Sequence, residues 1–170
     1  MTRPPELTTV EADLLGYLRA HAELYEHSAP GAVSWAYRSA YHLLLQHGRF
    51  FEPADLPTGI APMTEKLCYG NASTTARRHP GLVYVEGFAA AGLGGASVVP
   101  LAHAWCAAAD GTVVDPTWQD GWGQAYFGVP VVDPGRWPDP AAGGSVLDSF
   151  DLLRAGMPFQ AFGDIGRRCP

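Results

Sequence analysis

The stretch HAWCAAADGTVVDPTW, residues 103–118, decides how this chain is read. Asp110-Gly111 is a turn signal flanked by apolar residues, so two antiparallel strands joined by a tight turn are expected. Such a hairpin brings His103, at one end, towards Asp115 at the other. Strand side chains alternate between faces, so the register decides whether the two meet. A two-residue loop at Asp110-Gly111 would pair Cys106 with Asp115 and turn His103 to the opposite face. A three-residue loop, Ala109-Asp110-Gly111 with Gly111 left-handed in a G1 bulge, sets Trp105 across from Asp115. His103 then shares that face at a diagonal. A paired His103 and Asp115 therefore require the bulged turn, or an equivalent bulge elsewhere in the hairpin.

A His–Asp pair is half of a nucleophilic site, and upstream Cys68 supplies the other half. Cys68 stands at the predicted start of a helix, where unpaired N–H groups and the helix dipole favour a thiolate. Lys66 adds a positive charge two residues earlier. In this set a Cys68 thiolate attacks a carbonyl, His103 moves the proton, and Asp115 fixes the imidazole tautomer and stabilises the imidazolium. The backbone N–H of Cys68 is the expected oxyanion donor, with a second donor from upstream, Gln46 being conceivable.

A helix-borne Cys, a strand, His-Ala-Trp, a tight turn and a hydrophobic strand ending in Asp-Pro-Thr resemble the core of the transglutaminase-like superfamily, relatives of the papain-like thiol enzymes. The pieces that carry the resemblance are Cys68, Tyr84-Val85-Glu86-Gly87-Phe88, His103-Ala104-Trp105 and Asp115-Pro116-Thr117. They span about fifty of the 170 residues. The resemblance implies an α+β fold with helices packed on an antiparallel sheet, the nucleophile at a helix N-terminus and His and Asp on adjacent strands. It also implies acyl transfer through a thioester, with Cys68, His103 and Asp115 in the family's triad positions. Family members hydrolyse amides, deamidate glutamine or join an acyl group to an amine. Here the hairpin is shorter than the usual one, and the first 60 residues match no part of the family pattern.

Other residues are weighed against plainer roles. Cys106, three residues from His103 on a strand, points to the other face and reads as core. His79 lies eleven residues along the helix from Cys68, about 16 Å away, too far to serve as its base. His42 and His47 lack the i, i+4 spacing of a helical metal site. Asn71, one turn after Cys68, is either a helix-surface polar residue or a support for the Cys loop or substrate. Glu86, inside an apolar strand, faces either solvent or the cleft. Trp105 is a candidate support for the site. Like Trp118, Trp122, Tyr126 and Phe127 it reads first as core, with some of these walling a cleft.

Composition bounds the partners. The chain carries eleven basic and seventeen acidic side chains, net −6, with no basic stripe, so nucleic acid is not expected. No apolar run approaches the roughly 20 residues of a membrane helix. The start, MTRPPELTTVEADLLGYL, lacks the order of a signal peptide, so a cytoplasmic protein is expected. Three cysteines and no C-x-x-C pair argue against a disulfide framework or a structural zinc site. No motif implies a cofactor or metal.

The rest of the chain reads as a single domain, residues 1–170. A helical N-terminal part covers 1–60, a catalytic core 61–120, and a wrapped C-terminal tail with a short helix 121–170. Thr8 and Glu11 form a capping box ahead of an amphipathic helix, about Thr9 to Glu26, which Pro30-Gly31 ends. A second helix runs from about Ser34 to His47, with Gly48 at its C′ position. Arg49 to Pro62 reads as loop. A helix from Cys68 to before Pro80 has poor propensity at Ser73-Thr74-Thr75 and needs tertiary support. Leu82 to Phe88 is a strand. A Gly-rich turn at Gly92 to Gly95 leads to a strand at Val98 to Ala108, and a short helix covers about Ser145 to Ala155. The expected function is a cysteine-dependent acyl-transfer enzyme, an amidase, deamidase or amide-forming transferase. Its acyl donor would be a small-molecule, peptide or thioester-linked group, and an amine is a possible acceptor. The alternative is a catalytically inactive interaction domain of the same fold.

Overall fold

The computed structural model describes residues 6–28, 34–93, 98–156 and 163–169. Along the chain lie α1 (Thr9–Ser28), α2 (Ala40–His47), β1 (Arg49–Phe51), α3 (Cys68–Arg78), β2 (Val83–Gly92), β3 (Val98–Ala107), β4 (Val113–Val114), β5 (Gly123–Val131), α4 (Phe150–Ala155) and β6 (Arg167–Arg168). The fold is α+β, with helices against one antiparallel sheet in the order β4-β3-β2-β5-β1-β6. The sheet curls far enough for Glu52, just past β1, to bridge Thr112 beside β4.

The two faces of the curled sheet hold different cores. On the outer face Phe50, Phe88, Ala90, Phe127 and Val129 pack under Leu14, Leu15 and Leu18 of α1, Leu43 and Leu44 of α2 and Leu152 and Leu153 of α4. Further along that face, Ala72 and Ala76 of α3 cover Tyr84, Ala104 and Cys106. On the inner face Phe51, Val85, Ala89, Trp105, Val113 and Tyr126 fill the curl. The period-two alternation of β2 and β3 produces this division, since neighbouring residues serve opposite cores.

Local signals account for the helix ends. Thr8 and Glu11 form the reciprocal capping box, with Thr8 N donating to Glu11 Oε2 at 2.9 Å and Glu11 N to Thr8 Oγ1 at 3.2 Å. α3 keeps its weak Ser73-Thr74-Thr75 run because burial and side-chain bonds support it. Ser73 Oγ donates to Pro138 O at 2.7 Å, and Asn71, Ala72, Ser73, Thr75 and Ala76 are all buried.

Several expectations fail. α2 begins at Ala40 rather than Ser34, because the amides of Ala36 and Tyr37 pair with the carbonyls of Arg154 and Leu153 at the end of α4. Gly48 is extended, φ −65°, rather than left-handed, since β1 starts at the next residue. Arg49–Phe51 is a strand where a loop was expected. The C-terminal part is no mere wrapping. Residues 123–131 form β5, which pairs with β2 on one side and β1 on the other. α4 starts at Phe150, not Ser145, because residues 145–147 are committed to Glu86. The breaker Pro30-Gly31 lies outside the described residues, as do Gly94 and Gly95 of the expected glycine turn.

Candidate functional site

The hairpin takes the bulged form. Ala107 pairs with Val113, Cys106 with Val114, and Ala108 N donates to Thr112 O at 2.9 Å. Continued one step, this register sets Trp105 opposite Asp115. The loop is Ala109-Asp110-Gly111, closed by Gly111 N to Ala108 O at 3.0 Å, with Gly111 at φ +88°. Only glycine takes that conformation without strain. His103 and Asp115 consequently share the inner face, and His103 Nε2 lies 2.7 Å from Asp115 Oδ2.

Both groups are buried, His103 to 2% and Asp115 to 6% exposure. Asp115 opens an Asx turn in which its Oδ1 accepts from Thr117 N at 2.9 Å and Trp118 N at 3.2 Å. Tyr126 of β5 donates its hydroxyl to Oδ2 at 3.0 Å. Burial alone would raise the Asp115 pKa, but the bond and charge of His103 and the two backbone donors bring it below the usual carboxylate value. For His103, burial opposes the imidazolium, and the bond to Asp115 and the proximity of Cys68 outweigh it, so the ring titrates above its ordinary value. Trp118 stacks on the imidazole at 3.9 Å between centroids and 18° between planes, fixing the ring's orientation.

Cys68, half-buried, is the first residue of α3 and lies close enough to His103 to favour the imidazolium. Because Asp115 takes Nε2, Nδ1 is the nitrogen left for the thiol. The helix begins just past Lys66, whose φ of +66° is rare for a non-glycine residue and turns the chain sharply into α3. The Lys66 side chain itself is exposed. The first helical bond runs from Asn71 N to Leu67 O at 2.9 Å, so the Cys68 amide precedes the hydrogen-bonded ladder.

The segment before Cys68 is tied to the Asp115 turn. Met63 N donates to Pro116 O at 2.7 Å. Asn71 Nδ2 donates to Thr64 O at 2.7 Å and to Thr117 Oγ1 at 3.1 Å. Asn71 is therefore a buried brace between the two segments and not a surface residue.

The other candidates fall differently. Trp105 is fully buried in the inner core and lies 6.2 Å from the His103 ring, so it supports that ring from within and cannot touch a substrate. Glu86 faces neither solvent nor an open cleft. At 2% exposure it accepts from Tyr84 Oη at 2.7 Å, Val146 N at 2.8 Å and Leu147 N at 3.0 Å, and from Ser145 Oγ. Burial pushes its carboxyl up, against four bonds that favour the anion. Cys106 is core: its thiol is fully buried, donates to Ala72 O at 3.2 Å and is pushed up to about 12 by burial. His79 caps the far end of α3, and Gln46 is exposed on α2.

Tyr126 was read only as core or cleft wall, and its bond to Asp115 had no local signal. The residue sits on a strand that Pro130 masked, and strand order had to be known before its reach to Asp115 could be inferred. Comparison with family models, curated proteins and solved structures finds no match. Among the described residues no helix is long and apolar enough to cross a membrane, and no cluster of three or more His, Cys, Asp or Glu could hold a metal ion.

Proposed function

We propose that this chain is a cysteine-dependent acyl-transfer enzyme with a transglutaminase-like, papain-related core, working through an acyl-Cys68 thioester. The observation that carries the reading is the arrangement of three separate segments around one imidazole: Asp115 bonds His103 Nε2 at 2.7 Å, and Cys68, at the start of α3, lies close enough to favour the charged ring. His103 Nδ1 takes the Cys68 proton, and Sγ attacks the acyl carbon. The S–C bond forms as the bond to the leaving group breaks, and the leaving group departs with the proton held by His103. Water or an amine then attacks the thioester, its proton passing to His103, and the thiol is restored. The Cys68 amide, free of the helical ladder, is the oxyanion donor in both steps. Asp115 keeps Nε2 protonated throughout, which leaves Nδ1 basic.

The test is the pH dependence of Cys68 alkylation by iodoacetamide, mapped by mass spectrometry in wild type and His103→Ala. Fast labelling of Cys68 near neutral pH is expected, with a loss of about 10²-fold or more in the variant, the scale of general-base assistance. Equal, slow labelling in both proteins would replace this reading with that of an inactive interaction domain.

A further inference from the structure

A cavity of about 450 Å³ opens on the outer side of the sheet, between α1, α2 and α4. Cys68, His103 and Asp115 are not among its walls, so it is a site separate from the thiol and the imidazole. Its floor is buried, with Phe88 at 9% and Glu86 at 2% exposure. Its rim is open, with Tyr25 at 45% and Phe150 at 74%. This volume suits a small molecule and is too small for a folded segment of polypeptide.

Rings reach this cavity from α1, α2, α3, β2 and α4. Tyr25 lies 5.7 Å from Tyr41 between centroids, and Tyr41 lies 5.3 Å from Phe88, so rings run unbroken from rim to floor. Trp35 and Phe150 meet edge-on at 5.9 Å and 88°. The face of each ring is the negative part of its quadrupole, so such a lining attracts a cation and repels an anion.

The charged side chains act in the same sense. Arg38, the basic residue of the lining, lies 3.6 Å from Glu26 Oε1 and is answered there. Glu86 is held by four donors, so its oxygens are already taken. Asp148 differs. It is exposed, and no donor among the described residues bonds its carboxylate. It lies close enough to Tyr41 and Tyr69 to disfavour ionisation of both phenols, which sets its charge beside the rings.

We propose that this cavity binds a small organic cation, its alkylated ammonium head against the rings and beside Asp148. The site goes beyond the acyl-transfer reading and does not depend on it. Alkylation suits the head group because a methylated ammonium has no N–H to leave unsatisfied on entry. A bare ammonium is strongly hydrated and would need acceptors that the committed oxygens of Glu86 do not offer. Rings and one unbonded carboxylate are what a quaternary ammonium requires.

The experiment titrates the full chain with choline and, separately, with its neutral isostere in which carbon replaces the quaternary nitrogen. Binding is followed by amide chemical shifts in NMR, which report both place and affinity. Choline is expected to shift the amides of Phe88 and Asp148 saturably and to bind at least about fivefold more tightly than the isostere. Asp148→Asn and Phe150→Ala alter exposed side chains and leave the core intact, and each should weaken choline about threefold or more. Asp148→Asn should leave the isostere's affinity unchanged. The comparison of the two probes on the wild-type chain needs no variant to fold. An isostere that binds as tightly as choline, choline that shifts neither amide, or choline that binds Asp148→Asn as it binds the wild type overturns the assignment. Each of these outcomes leaves the thioester reading standing, because Cys68 alkylation is measured apart from it.

Discussion

At the scale of single residues, the hydrogen bond between His103 and Asp115 decides what the imidazole can do, and it has a signed pH consequence. His103 titrates above its ordinary value when folded and near about 6.5 when unfolded. Its contribution to stability is therefore complete below about pH 6.5 and is lost as pH rises through the folded value. Asp115 behaves in the opposite sense. Its contribution is present above about 3.9 and is lost as pH falls through its lower folded value. The pair thus supports the fold most between about pH 4 and 6.5. Asp115→Asn removes the partner and leaves the burial, so the His103 midpoint, followed by the imidazole resonances in NMR, should fall below about 6.5. A midpoint unchanged by that substitution would mean that Asp115 does not govern the ring. Cys68, His103 and Asp115 were legible because each chemistry demands a particular side chain in a particular local setting: a helix start, a strand, a turn. Tyr126, Trp118 and the bracing role of Asn71 were not, since each depends on a partner distant in sequence.

At the scale of elements, the site depends on one glycine in one turn. Gly111 at φ +88° gives the hairpin its three-residue loop, and a shift of one residue would carry Asp115 away from the face of His103. That geometry could be worked out in advance because loop length and side-chain alternation together fix the register. A methyl at Gly111 would be strained by its φ and would stand 3.2 Å from Gly166 Cα. Gly111→Ala should therefore lower stability by about 1–2 kcal/mol. Gly16, exposed in α1 with nothing within 4 Å of an added methyl, is the control. Gly16→Ala should raise stability by about 0.5–1 kcal/mol through helix propensity alone. Urea denaturation of the two variants should move the midpoints in opposite directions, and movement in the same direction would refute the account. Strand β5 escaped the sequence reading for a related reason. Pro130 argues against an inner strand, yet β1 stops pairing at Gly128, so β5 is an edge where the proline stands. The start of α2 escaped because its preceding amides find carbonyls on α4, a contact with no local sequence signal.

At the scale of the whole molecule, the sheet order could not be read from the sequence, because β5 sits between β2 and β1, two strands far from it along the chain. One consequence is that Glu86, in the middle of β2, becomes the tie between the sheet and the segment leading to α4. Its two oxygens take separate backbone donors, Oε2 from Val146 and Oε1 from Leu147. This explains how an acidic residue survives in an otherwise apolar strand: the carboxylate replaces water for amides that the turn would otherwise leave unpaired. Glu86→Gln preserves the volume and turns one acceptor into a donor. Whichever way the amide lies, its NH₂ meets a backbone N–H, so one of the two bonds is lost and one donor is left buried. The expected loss is about 2–3 kcal/mol, the scale of an unsatisfied buried group beside a broken charged hydrogen bond. Hydrogen exchange should accelerate first at Val146 and Leu147, ahead of β2 and β3, because Glu86 anchors that segment directly. Ser145, Leu147 and Asp148 line the cavity on the outer face between α1, α2 and α4, so the same variant should loosen that wall while the His103–Asp115 bond on the inner face persists. Exchange at Val146 and Leu147 that stays at the wild-type rate would show that the segment is held by its own packing and not by Glu86.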